Sequence, residues 1–367
     1  MIRRAAVCGL ATALLACQPP TEEGCDGAQF LTLEQPDSVV VPVGARRFKR
    51  FGLNVEIWYP AEPGSAEGKT PKRYDLREYL EPEERSKISD QENPWQACPC
   101  YDDLPLDRTR GPYPVIVFIH GTAAFSHQSA QTTAHWASQG FVVIAMDHSG
   151  IFLRDMLALN ISPRQADDVR EMLAELRSFS GGFADLNGVV DLDRIAIAGH
   201  SAGGFALAEL GDEAGVQMLI PMAAGGTDGP ATGVFSLVMA AVDDQVVEWR
   251  QAEEGYAQTP GEKMLLGLTN AGHLAYSDIC AIGRERGGLI ALLQESGITL
   301  PEGADEMFLR LGTDGCAAEQ MSPERGWAII NEVTTSHLQE RLQCRGQALT
   351  ADQIRATYGD DVVVTAP

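Results

Sequence analysis

Ile195-Ala196-Ile197-Ala198-Gly199-His200-Ser201-Ala202-Gly203-Gly204-Phe205 is the stretch on which the fold turns. Its first four residues read as a buried strand, and Phe205 to Leu210 read as the start of a helix. Between them lies a G-x-S-x-G, Gly199 to Gly203. In a strand-to-helix connection this pattern predicts a sharp turn that lifts the Ser201 hydroxyl clear of the backbone. The small flanking residues let strand and helix approach closely. A serine presented in this way needs a base, an acid to orient that base, and N–H donors, each expected at the end of another strand.

Working outward, Val115 to Ile119 and Phe141 to Met146 are continuous apolar runs, with helix-like segments over 129–139 and 163–179. In the second of these, Val169, Leu173 and Leu176 recur at helical spacing. Segments 217–220, 237–241 and 264–268 continue the strands, and 324–344 reads as a closing helix. Apolar strands alternating with amphipathic helices predict an α/β chain. Its sheet should be doubly wound and mostly parallel, with helices on both faces. Phe30 to Tyr59 reads as an antiparallel hairpin pair ahead of that sheet. The polar, Pro-rich segment 60–112 reads as a surface insertion, and 280–316 as a partial lid. Too little chain separates Ser201 from Leu237 for a large cap domain. The expected domain spans 30–350.

In a doubly wound sheet, chemistry gathers at the carboxyl ends of the strands. His120-Gly121-Thr122 follows the 115–119 run, where the Thr122 N–H could join that of Ala202 in an oxyanion hole, with Ala123 as the alternative to Thr122. A plain His-Gly turn is the simpler reading. After 237–241 stand Asp243 and Asp244, either of which could merely cap the next helix. Asp244 is favoured as the acid because Gln245-Val246-Val247 follows it as in related folds, and Asp243 is held in reserve. After 264–268 comes Asn270-Ala271-Gly272-His273, which places His273 as the base. His127, His135, His148 and His337 stand at poorer positions and read as mostly solvated or structural. The chain order Ser201, Asp244, His273 is that of α/β-hydrolases and differs from both serine-protease orders.

With these residues in view, the chain resembles an α/β-hydrolase over roughly 53–344. Four stretches carry a closer likeness: Ile57-Trp58-Tyr59-Pro60; Pro114 to Gly121; Gly140-Phe141-Val142-Val143 running to Asp147-His148; and Asp191-Leu192-Asp193-Arg194-Ile195 leading into Gly199-His200-Ser201. They are similar to the branch containing plasma-type platelet-activating factor acetylhydrolases, polyester hydrolases and dienelactone-hydrolase-like exported proteins. The resemblance implies Ser201, Asp244 and His273 as a triad that cleaves carboxylic esters through an acyl-enzyme. It calls for no cofactor and no metal. True dienelactone hydrolases use a cysteine nucleophile, so Ser201 argues against that activity. With no large cap, an open cleft for short or medium acyl chains, or for a polymer chain, is expected. Two other readings are amide or peptide hydrolysis on the same triad, and a lipid-anchored binding protein, which would predict a damaged triad.

The N-terminus reads as an export signal. Arg3 and Arg4 precede a short apolar run from Ala5 to Ala16, which ends in Leu14-Leu15-Ala16-Cys17. This resembles a bacterial lipobox, with residues 1–16 a lipoprotein-type signal peptide, Cys17 the lipidated residue and 17–29 a tether. An ordinary secretory signal is the alternative. The expected place is the cell envelope, facing the periplasm or the cell surface, held by acyl chains on Cys17. Net charge over the 367 residues is −23, and removing 1–16 takes away two arginines and no acid. Such a surface repels nucleic acid and anionic lipid headgroups. The expected partner is a small-molecule or polymeric ester, and the chain is expected to be a monomer. Cys25, Cys98, Cys100, Cys280, Cys316 and Cys344 suit disulfides in an exported protein. Cys280 is expected to pair with Cys316. Cys98-Pro99-Cys100 reads as too short to bridge to itself, so each is expected to pair elsewhere.

Overall fold

The computed structural model describes residues 41–227, 233–298 and 305–367. The signal and tether expected over 1–29 therefore lie outside the described residues. Among the described residues a ten-stranded sheet forms the centre, in the order 362–365, 263–268, 235–241, 216–222, 190–200, 113–119, 142–146, 53–60, 43–50, 101–102. Strands 113–119 through 263–268 run parallel to one another. The hairpin Val43–Arg50 with Leu53–Pro60 joins antiparallel at one side, against Val142–Met146. The sheet is that of the expected doubly wound α/β fold.

Alternation along the central strand explains why both faces are covered. Val115, Val117 and Ile119 pack with Val169, Leu173 and Leu176 of the helix Gln165–Arg177. Ile116 and Phe118 face the other way, into a core with Trp136 and Leu338 from the helices Ala130–Ser138 and Pro323–Gln343. Successive strand residues point to opposite faces, so a run apolar at every position must be buried on both. The indole N–H of Trp136 donates to Thr334 Oγ at 2.9 Å and ties those two helices together.

Winding direction changes at Tyr113–Ile119: the next strand, Val142–Met146, lies on one side of it and Val190–His200 on the other. A crevice opens at the carboxyl ends of strands at such a switch point. His120-Gly121-Thr122 leaves one of the flanking strands, and Ser201 leaves the other.

The chain departs from the sequence reading in three places. The sheet continues past the expected boundary at 350: the helix Ala351–Tyr358 leads into Val362–Thr365, which pairs antiparallel with Lys263–Leu268. Segment 60–112 does more than cover the surface, because Tyr74, Leu76, Tyr79, Leu80 and Ile88 are buried. Cys98 and Cys100 are bonded to each other across Pro99, contrary to expectation. A bend at 99–100 brings their Cα atoms to 5.1 Å, inside the span a disulfide bridges. Cys280 pairs with Cys316 as expected.

Asp278 marks a point where three segments meet. Buried beside the N-terminus of the helix Ala130–Ser138, its Oδ2 accepts from Gln96 Nε2 at 2.8 Å and from the Gln131 N–H at 3.1 Å. Its Oδ1 has no partner among the described residues. Burial pushes its pKa up to about 7, against the bonds from Gln96, Gln131 and Ala130. The unfolded carboxyl ionises near pH ~4. Between about 4 and about 7 the folded chain therefore keeps a proton that the unfolded chain has lost, and this group's contribution to stability falls as pH rises. Asp278→Asn should gain stability relative to the parent chain as pH is raised from about 5 to about 8. Urea midpoints of both proteins at each pH check this, and a gap that stays constant or narrows contradicts it.

Candidate active site

Ser201 has φ 54° and ψ −121°, a conformation rarely tolerated by a residue with a side chain. Backbone bonds on both sides hold it there. Its N–H donates to Met222 O at 2.8 Å, and its carbonyl accepts the Phe205 N–H at 3.0 Å. The glycines of the motif are required by contact distance. A Cβ on Gly199 would lie 2.4 Å from Gly203 O, and one on Gly203 would lie 2.3 Å from Ile119 O. Helix and strands thus meet backbone to backbone, as the G-x-S-x-G predicted.

The structure brings the three expected side chains together. His273 Nε2 lies 2.9 Å from Ser201 Oγ, and His273 Nδ1 lies 2.8 Å from Asp244 Oδ2. All three residues are buried. The second carboxylate oxygen of Asp244 accepts the N–H groups of Val246 and Val247 at 2.8 and 2.7 Å. Asp244 therefore closes the turn with one oxygen and meets the imidazole with the other. Asp243 is exposed. A histidine that donates from Nδ1 to a carboxylate presents a bare Nε2 toward the hydroxyl.

Of the two N–H groups weighed after His120, that of Ala123 is taken, donating to Ile151 O at 2.9 Å. The Thr122 N–H has no acceptor among the described residues. Ala202 occupies the first position of the helix Ala202–Phe205, where an N–H has no intrahelical acceptor.

A polar chain overlooked in the sequence ties these parts together. The Gly121 N–H donates to Gln128 Oε1 at 2.9 Å, Gln128 Nε2 lies 2.7 Å from His200 Nδ1, and His200 Nε2 lies 2.9 Å from His273 O. With amide N–H on one nitrogen and a carbonyl on the other, His200 is the neutral tautomer protonated at Nε2. Burial pushes its pKa down to about 3, and the neighbouring His273 adds to that effect. His200 stays uncharged and links the 121 loop, the serine turn and the His273 loop. Only its place within the motif could have drawn attention to it.

Of the four other histidines weighed in the sequence, three are buried and packed in structural roles and one is half-buried. His127 is buried under a stacked Tyr74 ring at 3.9 Å, His148 sits 3.1 Å from Asp168, and His337 packs against Phe235. His135 is half-buried and reaches Thr335 Oγ at 3.0 Å. None of the four hydrogen-bonds to Ser201 or Asp244.

The pocket over Ser201 holds about 1050 Å³ of atom-free space, its open mouth included. Both insertions build its walls: Leu76, Leu80 and Ile88 come from 60–112, and Leu289, Leu293, Phe308 and Leu311 come from 280–316. The lining is mainly apolar, and the pocket is open to solvent on one side. Among the described residues no cluster of three or more His, Cys, Asp or Glu side chains could hold a metal ion.

A doubly wound sheet with a serine turn at its switch point defines the α/β-hydrolase fold. Consistent with this, the family model described as Chlorophyllase matches residues 103–224, from ahead of the central strand to just past Met222. A solved ferulic acid esterase from Streptomyces cinnamoneus is similar over 90% of this chain and 97% of its own, with a TM-score of 0.56 and 17% identity. No curated protein matches the chain in sequence.

The backbone contact at the serine turn has a direct consequence. Gly203→Ala should lower the urea midpoint and slow the reaction of Ser201 with a fluorophosphonate, because Ile119 O cannot yield without moving a central strand. An unchanged midpoint together with an unchanged labelling rate would contradict the packing described.

Proposed function

We propose that the chain is a carboxylic ester hydrolase acting through Ser201, His273 and Asp244, with a preference for esters that carry a long apolar chain. The observation that carries this reading is the continuous line from Ser201 Oγ through His273 to Asp244, at 2.9 and 2.8 Å, with Ser201 and His273 lining a mainly apolar pocket. His273 takes the hydroxyl proton as Ser201 attacks the acyl carbon, and Asp244 stabilises the imidazolium that forms. The N–H groups of Thr122 and Ala202 receive the developing oxyanion. The imidazolium then protonates the leaving alcohol, and water releases the acyl group by the reverse sequence.

The pocket supports the substrate preference. Each methylene moved from water into an apolar wall contributes about 0.8 kcal/mol, or about fourfold in affinity. The intact alignment of the three side chains weighs against a purely binding role. Amide hydrolysis remains the second use of the same machinery, and matched ester and anilide substrates separate the two. Export is part of the proposal, with Cys17 as the site of lipidation. Support comes from the Cys98–Cys100 and Cys280–Cys316 disulfides, which persist in oxidising compartments. No helix among the described residues is long and apolar enough to cross a membrane.

Initial rates on p-nitrophenyl esters of increasing acyl length test this reading. kcat/KM should rise with chain length through at least about eight carbons, and Ser201→Ala should lower kcat by about 10⁶. A peak at acetate would remove the chain preference. Retention of more than about a tenth of the rate by Ser201→Ala would remove the mechanism.

A further inference from the structure

His273 and Asp244 stand on loops that leave two different strands, and one carboxylate from outside those loops binds both. Asp314 is buried just after the lid helix Asp305–Thr313. Its Oδ2 accepts the N–H of His273 at 3.0 Å and the N–H of Gln245, the residue after Asp244, at 2.9 Å. Its main-chain carbonyl accepts the Leu274 N–H at 2.9 Å. One residue of the 280–316 insertion thus holds the backbone at both ends of the His273–Asp244 hydrogen bond.

We infer that Asp314 is a positioning residue for the proposed reaction, fixing the distance and angle between His273 and Asp244. The inference rests on the reading of Ser201, His273 and Asp244 given above. Two further observations show that the contact is built into the chain. Gly272 and Gly315 face each other across it, and a Cβ on Gly272 would lie 2.5 Å from Gly315 N and 2.6 Å from Asp314 Oδ1. Gly272 has φ −109°, which any residue adopts, so the glycine is needed there for space alone. Cys316, two residues past Asp314, is bonded to Cys280 on the segment that follows His273. The disulfide and the carboxylate fasten the same two segments a few residues apart.

The placement also links the pocket to the chemistry. Phe308, Leu311 and Gly312, on the turns of helix leading into Asp314, line the pocket above Ser201. The segment that would touch the apolar chain of the substrate therefore also sets the geometry of the base. Hydrogen bonds to an ionised carboxylate are among the stronger ones, and a misplacement of about 1 Å in a reacting group can cost about a hundredfold in rate.

A purely structural Asp314 would change stability and leave turnover per folded molecule alone, so the test counts active sites. Parent chain, Asp314→Ala, Asp314→Asn, Gly272→Ala and Ser201→Ala are assayed on one p-nitrophenyl ester, with reactive serines titrated by a fluorophosphonate. Asp314→Ala should lose about 10- to 100-fold in kcat per titrated site with KM within about threefold. Asp314→Asn keeps an oxygen acceptor and should recover to within about fivefold of the parent. Gly272→Ala removes no polar side chain, yet should reproduce the loss by pushing Asp314 and Gly315 away from the His273 loop. A kcat within about threefold of the parent in Asp314→Ala overturns the inference, as does a loss confined to melting temperature. If Asp314→Ala does not fold, Gly272→Ala decides alone, and parental kcat in that variant overturns the inference. Activity surviving in Ser201→Ala is a different failure, that of the triad reading itself.

Discussion

The structure depends on one close approach, where the backbone of the serine turn lies against the end of the central strand. Gly203 sits where a single added carbon would lie 2.3 Å from Ile119 O, and Gly199 where one would lie 2.4 Å from Gly203 O. This contact fixes Ser201 in a backbone conformation costing on the order of 1–3 kcal/mol, which persists only because its surroundings over-determine it. The burial of apolar strands on both faces of the sheet supplies the rigidity that makes the approach possible.

On that frame the two insertions have distinct tasks. Segment 60–112 is anchored through a buried network in which Glu56 accepts from Arg47 at 2.6 Å and from the Tyr74 hydroxyl at 2.9 Å. Arg47 also reaches Glu78 at 2.6 Å. Burial acts to lower the Arg47 pKa, but Glu56, Tyr79 and Glu78 outweigh it and hold the guanidinium firmly charged. The second insertion is fastened by Cys280–Cys316 and roofs the pocket with the helices Gly288–Glu295 and Asp305–Thr313. Segments that read as a polar surface insertion and a partial lid thus together line an apolar site.

What could be read in the sequence was what local rules govern. Strand runs such as 115–119 and 141–146 were legible because a strand buried on both faces must be apolar throughout. The serine turn was legible because its glycines follow from contact distance, and the order of Ser201, Asp244 and His273 because each ends its own strand. Asp314 was not legible: its bond to His273 spans 41 positions and ends on a backbone N–H, which carries no residue signature. Gln128 and His200 were missed for the same reason, since their partners are a main-chain N–H and a main-chain carbonyl. The Cys98–Cys100 bridge was misread because a spacing of two residues was taken as too short to bridge, whereas the bend at 99–100 sets the Cα atoms 5.1 Å apart. The strand 362–365 was missed because Val362-Val363-Val364 is too short to stand out until a neighbouring strand pairs with it.

The most direct measurement is the mass of the intact purified protein after reaction with a fluorophosphonate, followed by peptide mapping of the adduct. The account predicts one adduct per chain, on the peptide containing Gly199-His200-Ser201, with hydrolysis of a long-chain p-nitrophenyl ester lost in step with labelling. A protein that hydrolyses the ester while Ser201 remains unlabelled, or that labels elsewhere with loss of activity, would contradict it.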